Sequence, residues 1–188
     1  MKKLIMAASI ILAVAAAATL FAGQAAETAA LFKQPLLLTS AGQNAELQIA
    51  GVLAKRAGLT YTISKLALPQ ELQGMKTLVL VLGASMKGLG SAGLDLAKEK
   101  ARVASLLEAC RKNKIPILCL HLGGDVRRGE QTDELIAAFL PSAAAAVVVK
   151  SGNADKVFSK ICDEKKIPLI EVDKAADALE SLKKLFKS

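Results

Sequence analysis

Six short apolar runs, separated by stretches with helical spacing, are the feature that most restricts how this chain can fold. The runs occupy 35–40 (PLLLTS), 61–64 (YTIS), 77–83 (TLVLVLG), 115–122 (IPILCLHL), 146–150 (AVVVK) and 167–172 (IPLIEV). Most are continuously apolar, as parallel strands covered on both faces must be. Tyr61 and Ile63 alternate with polar neighbours, which predicts a strand near a sheet edge. Between the runs lie apolar stripes at helical spacing: Val103, Leu106, Leu107 and Cys110; Ala154, Val157, Phe158 and Ile161; Ala178, Leu179, Leu182 and Leu185. "KNKIP" and "EKKIP" punctuate two helix ends alike, with lysines at the helix C-terminus and Pro116 or Pro168 opening the next strand. Strand and helix alternating six times predict a three-layer α/β fold, Rossmann-like or flavodoxin-like, with a mainly parallel sheet of five or six strands.

Right-handed crossovers then place every strand-to-helix loop on one edge, where such sheets bind ligands. Those loops read "TSAGQNAE", "LGASMKGLGSAGLD", "HLGGDVRRGEQTDE", "KSGNAD" and "EVDK". Glycines and small polar side chains concentrate there, whereas the opposite edge reads as bland.

The second of these loops imitates a nucleotide site and fails each test. Leu89 and Gly90 follow Gly88 where a P-loop needs Lys and then Ser or Thr. Gly88 stands well beyond the strand end at Leu82, and the next strand ends at Leu120 and His121 rather than at the acid a dinucleotide fold needs. Lys87 occupies the place of the second glycine of a nucleophile elbow, so Ser85 is a poor hydrolase serine. No cofactor is expected. What remains is an anion site. Gly88, Gly90 and Gly93 let main-chain N–H groups converge, and Lys87, Arg127 and Arg128 on adjacent loops can pair with a carboxylate or phosphate. The bland alternative is tight turns and solvated cations.

His121 is the only histidine, and it can serve as an acid/base, an anion ligand or a structural group. Asp125 and Asp173 are candidates to orient it. A lone histidine makes a poor metal site. Thr132 looks like a helix N-cap, and Asn153 and Asp155 suit a helix start after Gly152.

The N-terminus limits location. Lys2 and Lys3 precede an apolar run over 4–22, and small residues follow it. That pattern predicts a signal peptide over 1–25, a short linker over 26–34, one α/β domain over 35–188, and a periplasmic or secreted protein. An uncleaved anchor is the alternative, and it is the only membrane contact expected. Removing the two lysines takes the formal charge from +8 to +6. With one Tyr and no Trp, the stacking surfaces that single-stranded nucleic acid needs are missing. Three cysteines, Cys110, Cys119 and Cys162, have no metal-ligand spacing; buried thiols, or one disulfide and a spare thiol, both fit.

"TSAGQ", "GASMKGLGSAG", "HLGGDVRRGEQTDELI", "KSGNADKVF" and "IPLIEVD" together resemble an exported bacterial family, domain of unknown function 6305, over 35–186. The resemblance implies a secreted α/β domain and carries no catalytic role. Its matching positions are Ser40, Gly42, Gln43, Ser85, Lys87, Gly88, Gly90, Gly93, His121, Arg128, Asn153 and Asp155. The sequence therefore points to a receptor for a small anionic solute. Lys87, Arg127 and Arg128 supply charge in that reading, and Ser40, Gln43, Ser85 and Asn153 supply hydrogen bonds. An enzyme using His121, marked by a titratable pair, and an envelope interaction module, marked by an apolar helix face, are the alternatives.

Overall fold

The computed structural model describes residues 31–186, so the 1–25 segment and most of the linker lie outside the described residues. Six strands form one parallel sheet: β1 (Leu36–Ala41), β2 (Tyr61–Ile63), β3 (Thr77–Leu82), β4 (Ile117–His121), β5 (Ala145–Val149) and β6 (Leu169–Val172). Their spatial order is β2-β1-β3-β4-β5-β6. Every residue of β1, β3, β4 and β5 is buried, which is why those runs carry no alternation. The two edges are short, with three residues in β2 and four in β6.

The helices are α1 (Glu46–Arg56), α2 (Met86–Ser91), α3 (Leu96–Asn113), α4 (Glu130–Phe139), α5 (Val157–Lys165) and α6 (Ala178–Leu185). Side chains that alternate along each strand feed two separate cores. Leu36, Leu38, Val79, Val81, Leu118 and Leu120 face α1 and α6. Leu37, Leu78, Leu80, Cys119 and Val148 face α3, α4 and α5 on the other side. One expectation fails here, because β2 has no α-helix after it. Its chain passes through a 3-10 turn at Pro69–Leu72, packs Leu72 into the α3 side of the core, and enters β3. No helix among the described residues is long and apolar enough to cross a membrane.

All three cysteines are buried free thiols. Burial pushes the Cys110 thiol up to about 12 and the Cys162 thiol up to about 11, and it raises Cys119 as well. None is a nucleophile near neutral pH.

Helices α3 and α5 end alike. Lys114 and Lys166 take the left-handed conformation, at φ 54° and 56°. The following amides, of Ile115 and Ile167, donate back to the carbonyls of Cys110 and Cys162 at 2.9 and 2.8 Å. This geometry favours glycine, and an L-residue held there costs about 1 kcal/mol. Lys114→Gly and Lys166→Gly are each expected to raise stability, by up to about 1 kcal/mol in chemical denaturation.

Candidate functional site

Strand β1 leads leftward to β2, while β3 leads rightward to β4. The helices that follow β1 and β3 therefore cover opposite faces and leave a crevice between their loops. Gln43 bridges across it to Ala84. The approach is very close: a Cβ on Gly42, which sits at φ +103°, would lie 2.4 Å from the Gly83 carbonyl oxygen. A Cβ on Gly88 would lie 2.1 Å from the Gln43 carbonyl oxygen. Two glycines of the nucleotide-like pattern thus separate into different jobs. Gly88 lets α2 lean on the β1 loop, whereas Gly90 meets no neighbour within 4 Å.

Beneath the crevice lies a buried ion pair. Glu99 of α3 is fully buried and Arg102 only 7 % exposed in its side chain. Arg102 donates through Nε to Glu99 Oε2 and through Nη2 to Oε1, both at 2.9 Å. Glu99 Oε1 also accepts from the Gly42 amide at 2.9 Å and from Gln43 Nε2 at 3.1 Å. Arg102 donates onward to the carbonyls of Ser40 and Ala67. One pair therefore ties the loops after β1 and β2 to α3. Glu99 falls on the apolar stripe one turn before Val103, and that misplaced charge was the signal for it in the sequence.

Above this pair opens a cleft of about 550 Å³, walled by the β1 loop with the first turn of α1, by Lys65 and Leu66 after β2, and by α2. Of the candidate residues, Ser40, Gln43, Ser85, Lys87 and Gly88 line it. Gly42 and Gly90 do not line it. Asn44, Gln48, Lys65 and Ser91 line it too, and sequence reasoning did not select them as site residues. Lys65 was hidden because β2 ends without a helix. Ser85 Oγ accepts from the Gly88 amide at 3.1 Å and so caps α2. Asn44 Nδ2 donates to the carbonyls of Val81 and Gly83, while its Oδ1 is buried without a partner.

The arginines do other work. Arg127 donates through Nε and Nη2 to Glu46 Oε1 at 3.0 and 2.9 Å, lying flat over Gly83 and Gly123. Arg128 binds Asp133 and Asp155 at 2.6 and 2.8 Å and lies 5.7 Å over the Phe158 ring. Asp155 and then Asp133 hold its guanidinium charged. Both cations are already paired with carboxylates, and neither lines the cleft.

His121 and Asn153 are likewise committed to internal partners. The His121 ring is fully buried, with Nδ1 3.0 Å from the Leu82 carbonyl and Nε2 3.0 Å from the Gly124 carbonyl. Gly152 presses on its edge, where a Cβ would stand 2.6 Å from Cδ2. Neither nitrogen faces a cavity, and Asp125 and Asp173 do not orient it; Asp173 pairs with Lys150 instead. His121 therefore has no route to a substrate proton. Asn153 is spent on Ser159, Glu171 and the first amides of α5. Thr132 lies inside α4 rather than at its cap, and its Oγ1 accepts from the Ala84 amide at 2.9 Å.

The opposite edge is less bland than its sequence. A cavity of about 610 Å³, lined by Leu107, Cys110, Ile117, Ala138 and Phe139, opens between the ends of α3 and α4.

The chain belongs to the family described as a domain of unknown function (DUF6305), which it matches over residues 33–186. No curated protein matches it. Among solved structures it is similar to a G-D-S-L-family protein from Desulfitobacterium hafniense described as lipolytic, at 12 % identity and TM-score 0.36, covering 74 % of this chain and 77 % of that one. A GDSL-like lipase from Bacteroides thetaiotaomicron matches at 13 % identity and TM-score 0.33, over 72 % and 66 %. A GDP-L-fucose synthetase from Naegleria fowleri, bound to NADP, matches at 9 % identity and TM-score 0.37, over 79 % and 67 %. Nothing about activity follows from these likenesses.

Two outcomes check the site. Gly88→Ala should destabilise the protein by more than about 2 kcal/mol, because the new methyl meets backbone, whereas Gly90→Ala should stabilise it by up to about 1 kcal/mol; urea melts distinguish them. Burial, the largest cause, holds His121 below its ordinary value, and Arg128 adds to that. The unfolded chain then takes up the proton first, so stability holds above pH of about 6.5 and falls as the pH drops below it. His121→Gln should abolish that slope between pH of about 7.5 and 5.5 in denaturation measurements.

Proposed function

We propose that this protein binds a small anionic solute, a carboxylate or a phosphate, in the cleft between the β1 and β3 loops. The observation that carries this reading is the charge pattern of the cleft. Lys65 and Lys87 stand on its walls, no Asp or Glu lines it, and neither lysine makes an ion pair among the described residues. Both ammonium groups are available to a guest. Gln43 and Ser91 already donate to partners within the protein, and the exposed amide of Gln48 is the lining group that adds a directional hydrogen bond to fix the guest's orientation.

The neighbouring arginines support the reading by exclusion. With Arg127 and Arg128 held by Glu46, Asp133 and Asp155, the unpaired positive charge on this part of the rim lies at the cleft itself. The cleft is open on one side, which suits reversible binding rather than chemistry. No carboxylate, histidine or cysteine lines it to serve as the partner that acid–base catalysis requires. Export to the periplasm or beyond, the reading of the N-terminal segment, fits a receptor of this kind.

Calorimetric titration with a panel of carboxylates and phosphates tests the proposal. At least one anion should bind, with an affinity that falls as salt rises. The double variant Lys65→Ala/Lys87→Ala should lose at least about tenfold, for two charge-assisted contacts of this kind. An Arg128→Ala variant that lost binding while the lysine variant kept it would place the site elsewhere.

A further inference from the structure

Helix α1 runs away from the cleft with an unusual outer face. Ala45 and Gln48 line the cleft, and Ile49 and Val52 continue the same face one turn further on, by the i, i+3, i+4, i+7 rule. Ile49 is 41 % exposed and Val52 57 %. No charge appears on that face until Lys55 and Arg56 in the last turn. The other walls of the cleft carry the same character. Leu66 lines it and is 41 % exposed; Met86, between the lining residues Ser85 and Lys87, is 57 % exposed. Of seven large apolar side chains exposed among the described residues, Leu66 lines this cleft and three more (Ile49, Val52 and Met86) adjoin its lining residues in the chain or on the same helix face. Surface apolar residues are ordinarily scattered singly, and a concentration of them around one cleft points to a binding surface.

The polar and apolar features are continuous. Two lysines without an ion-pair partner line the cleft, and an uncharged face leads from it along α1, about 10 Å from Ala45 to Val52 at 1.5 Å per residue. Charge complementarity at one end and apolar area along the track select one kind of guest. We infer that the cleft takes an amphiphilic anion, a medium-chain carboxylate, with its head between Lys65 and Lys87 and its alkyl chain laid over Gln48, Ile49 and Val52 beside Leu66 and Met86. This rests on the anion-binding reading above and names the class of solute. The concavity of the head site favours one molecule at a time over a flat lipid surface, and its cations favour a carboxylate over the apolar face of a protein.

A homologous series tests it on the full-length chain. Saturated carboxylates of two to ten carbons are titrated at constant ionic strength. A fully buried methylene strengthens binding about fourfold, so a chain lying on one face should gain about twofold per methylene. Ile49→Ser and Val52→Ser, both at exposed positions, should flatten that dependence and leave the affinity of the shortest carboxylate unchanged. Lys65→Ala should weaken every member alike. An affinity independent of chain length overturns this inference and leaves the anion site standing; no binding at any length, and none by phosphate, removes both. A chain-length slope that survives in the Ile49→Ser and Val52→Ser variants also overturns it. So does sedimentation with anionic phosphatidylglycerol vesicles without binding of monomeric carboxylates, or a dimer, seen by ultracentrifugation, that dissociates in Val52→Ser.

Discussion

The Glu99–Arg102 pair organises the rim of loops beyond β1 and β2. Inside a protein, a carboxylate and a guanidinium are tolerated only when nearly all their hydrogen-bonding positions are filled. Here they are filled by the backbone of the loops after β1 and β2, through the Gly42 amide and the Ser40 and Ala67 carbonyls. The pair's own need for partners thus dictates where two irregular segments go. Removing one member of such a pair typically costs about 3–5 kcal/mol, because the other is left charged and buried. Between β1 and α1, and between β2 and the 3-10 turn, the chain has no helix or strand to hold it, so the shape of these segments depends on α3, a helix that contributes no side chain to the cleft lining.

The glycines complete what the ion pair begins. Gly42 and Gly88 allow backbone to touch backbone across the switch point, so the β1 loop, the β3 loop and α2 pack as one unit. Nothing in that arrangement requires a phosphate. A glycine pattern that imitates a nucleotide cradle in sequence is explained by steric necessity, and it creates the cleft by drawing two walls together. On the neighbouring loop, Arg127 and Arg128 act in the same structural sense, pinning backbone and carboxylates on the β4 side of the rim.

Much of the fold was legible in the chain. The six apolar runs coincide with the six strands to within about two residues, the usual uncertainty of element ends, and the alternation of Tyr61 and Ile63 marked the edge strand. The 3-10 passage after β2 was not legible, because its sequence, with Pro69 and Leu72, carries no helical period to miss. The site divided along a physical line. Ser40, Gln43, Ser85, Lys87 and Gly88 gather because they adjoin the ends of β1 and β3, which register alone brings together. Arg127, Arg128, His121 and Asn153 lie on the same rim but turn toward their own carboxylates and carbonyls, and no spacing in a sequence reports a pairing such as Glu46 with Arg127, 81 residues apart. Lys65 escaped notice for the complementary reason, since only the fold carries it to the cleft.

The brevity of the two outer strands has its own implication. A parallel sheet buried on both faces can still recruit foreign backbone along its margins, where amides and carbonyls stand unpaired. With three residues in β2 and four in β6, this sheet offers little length at either margin for such pairing. A chain whose interior strands are so uniformly apolar would be prone to fibrous self-association if those strands lay outermost; placing them centrally confines the stickiest backbone to positions that neighbours already occupy.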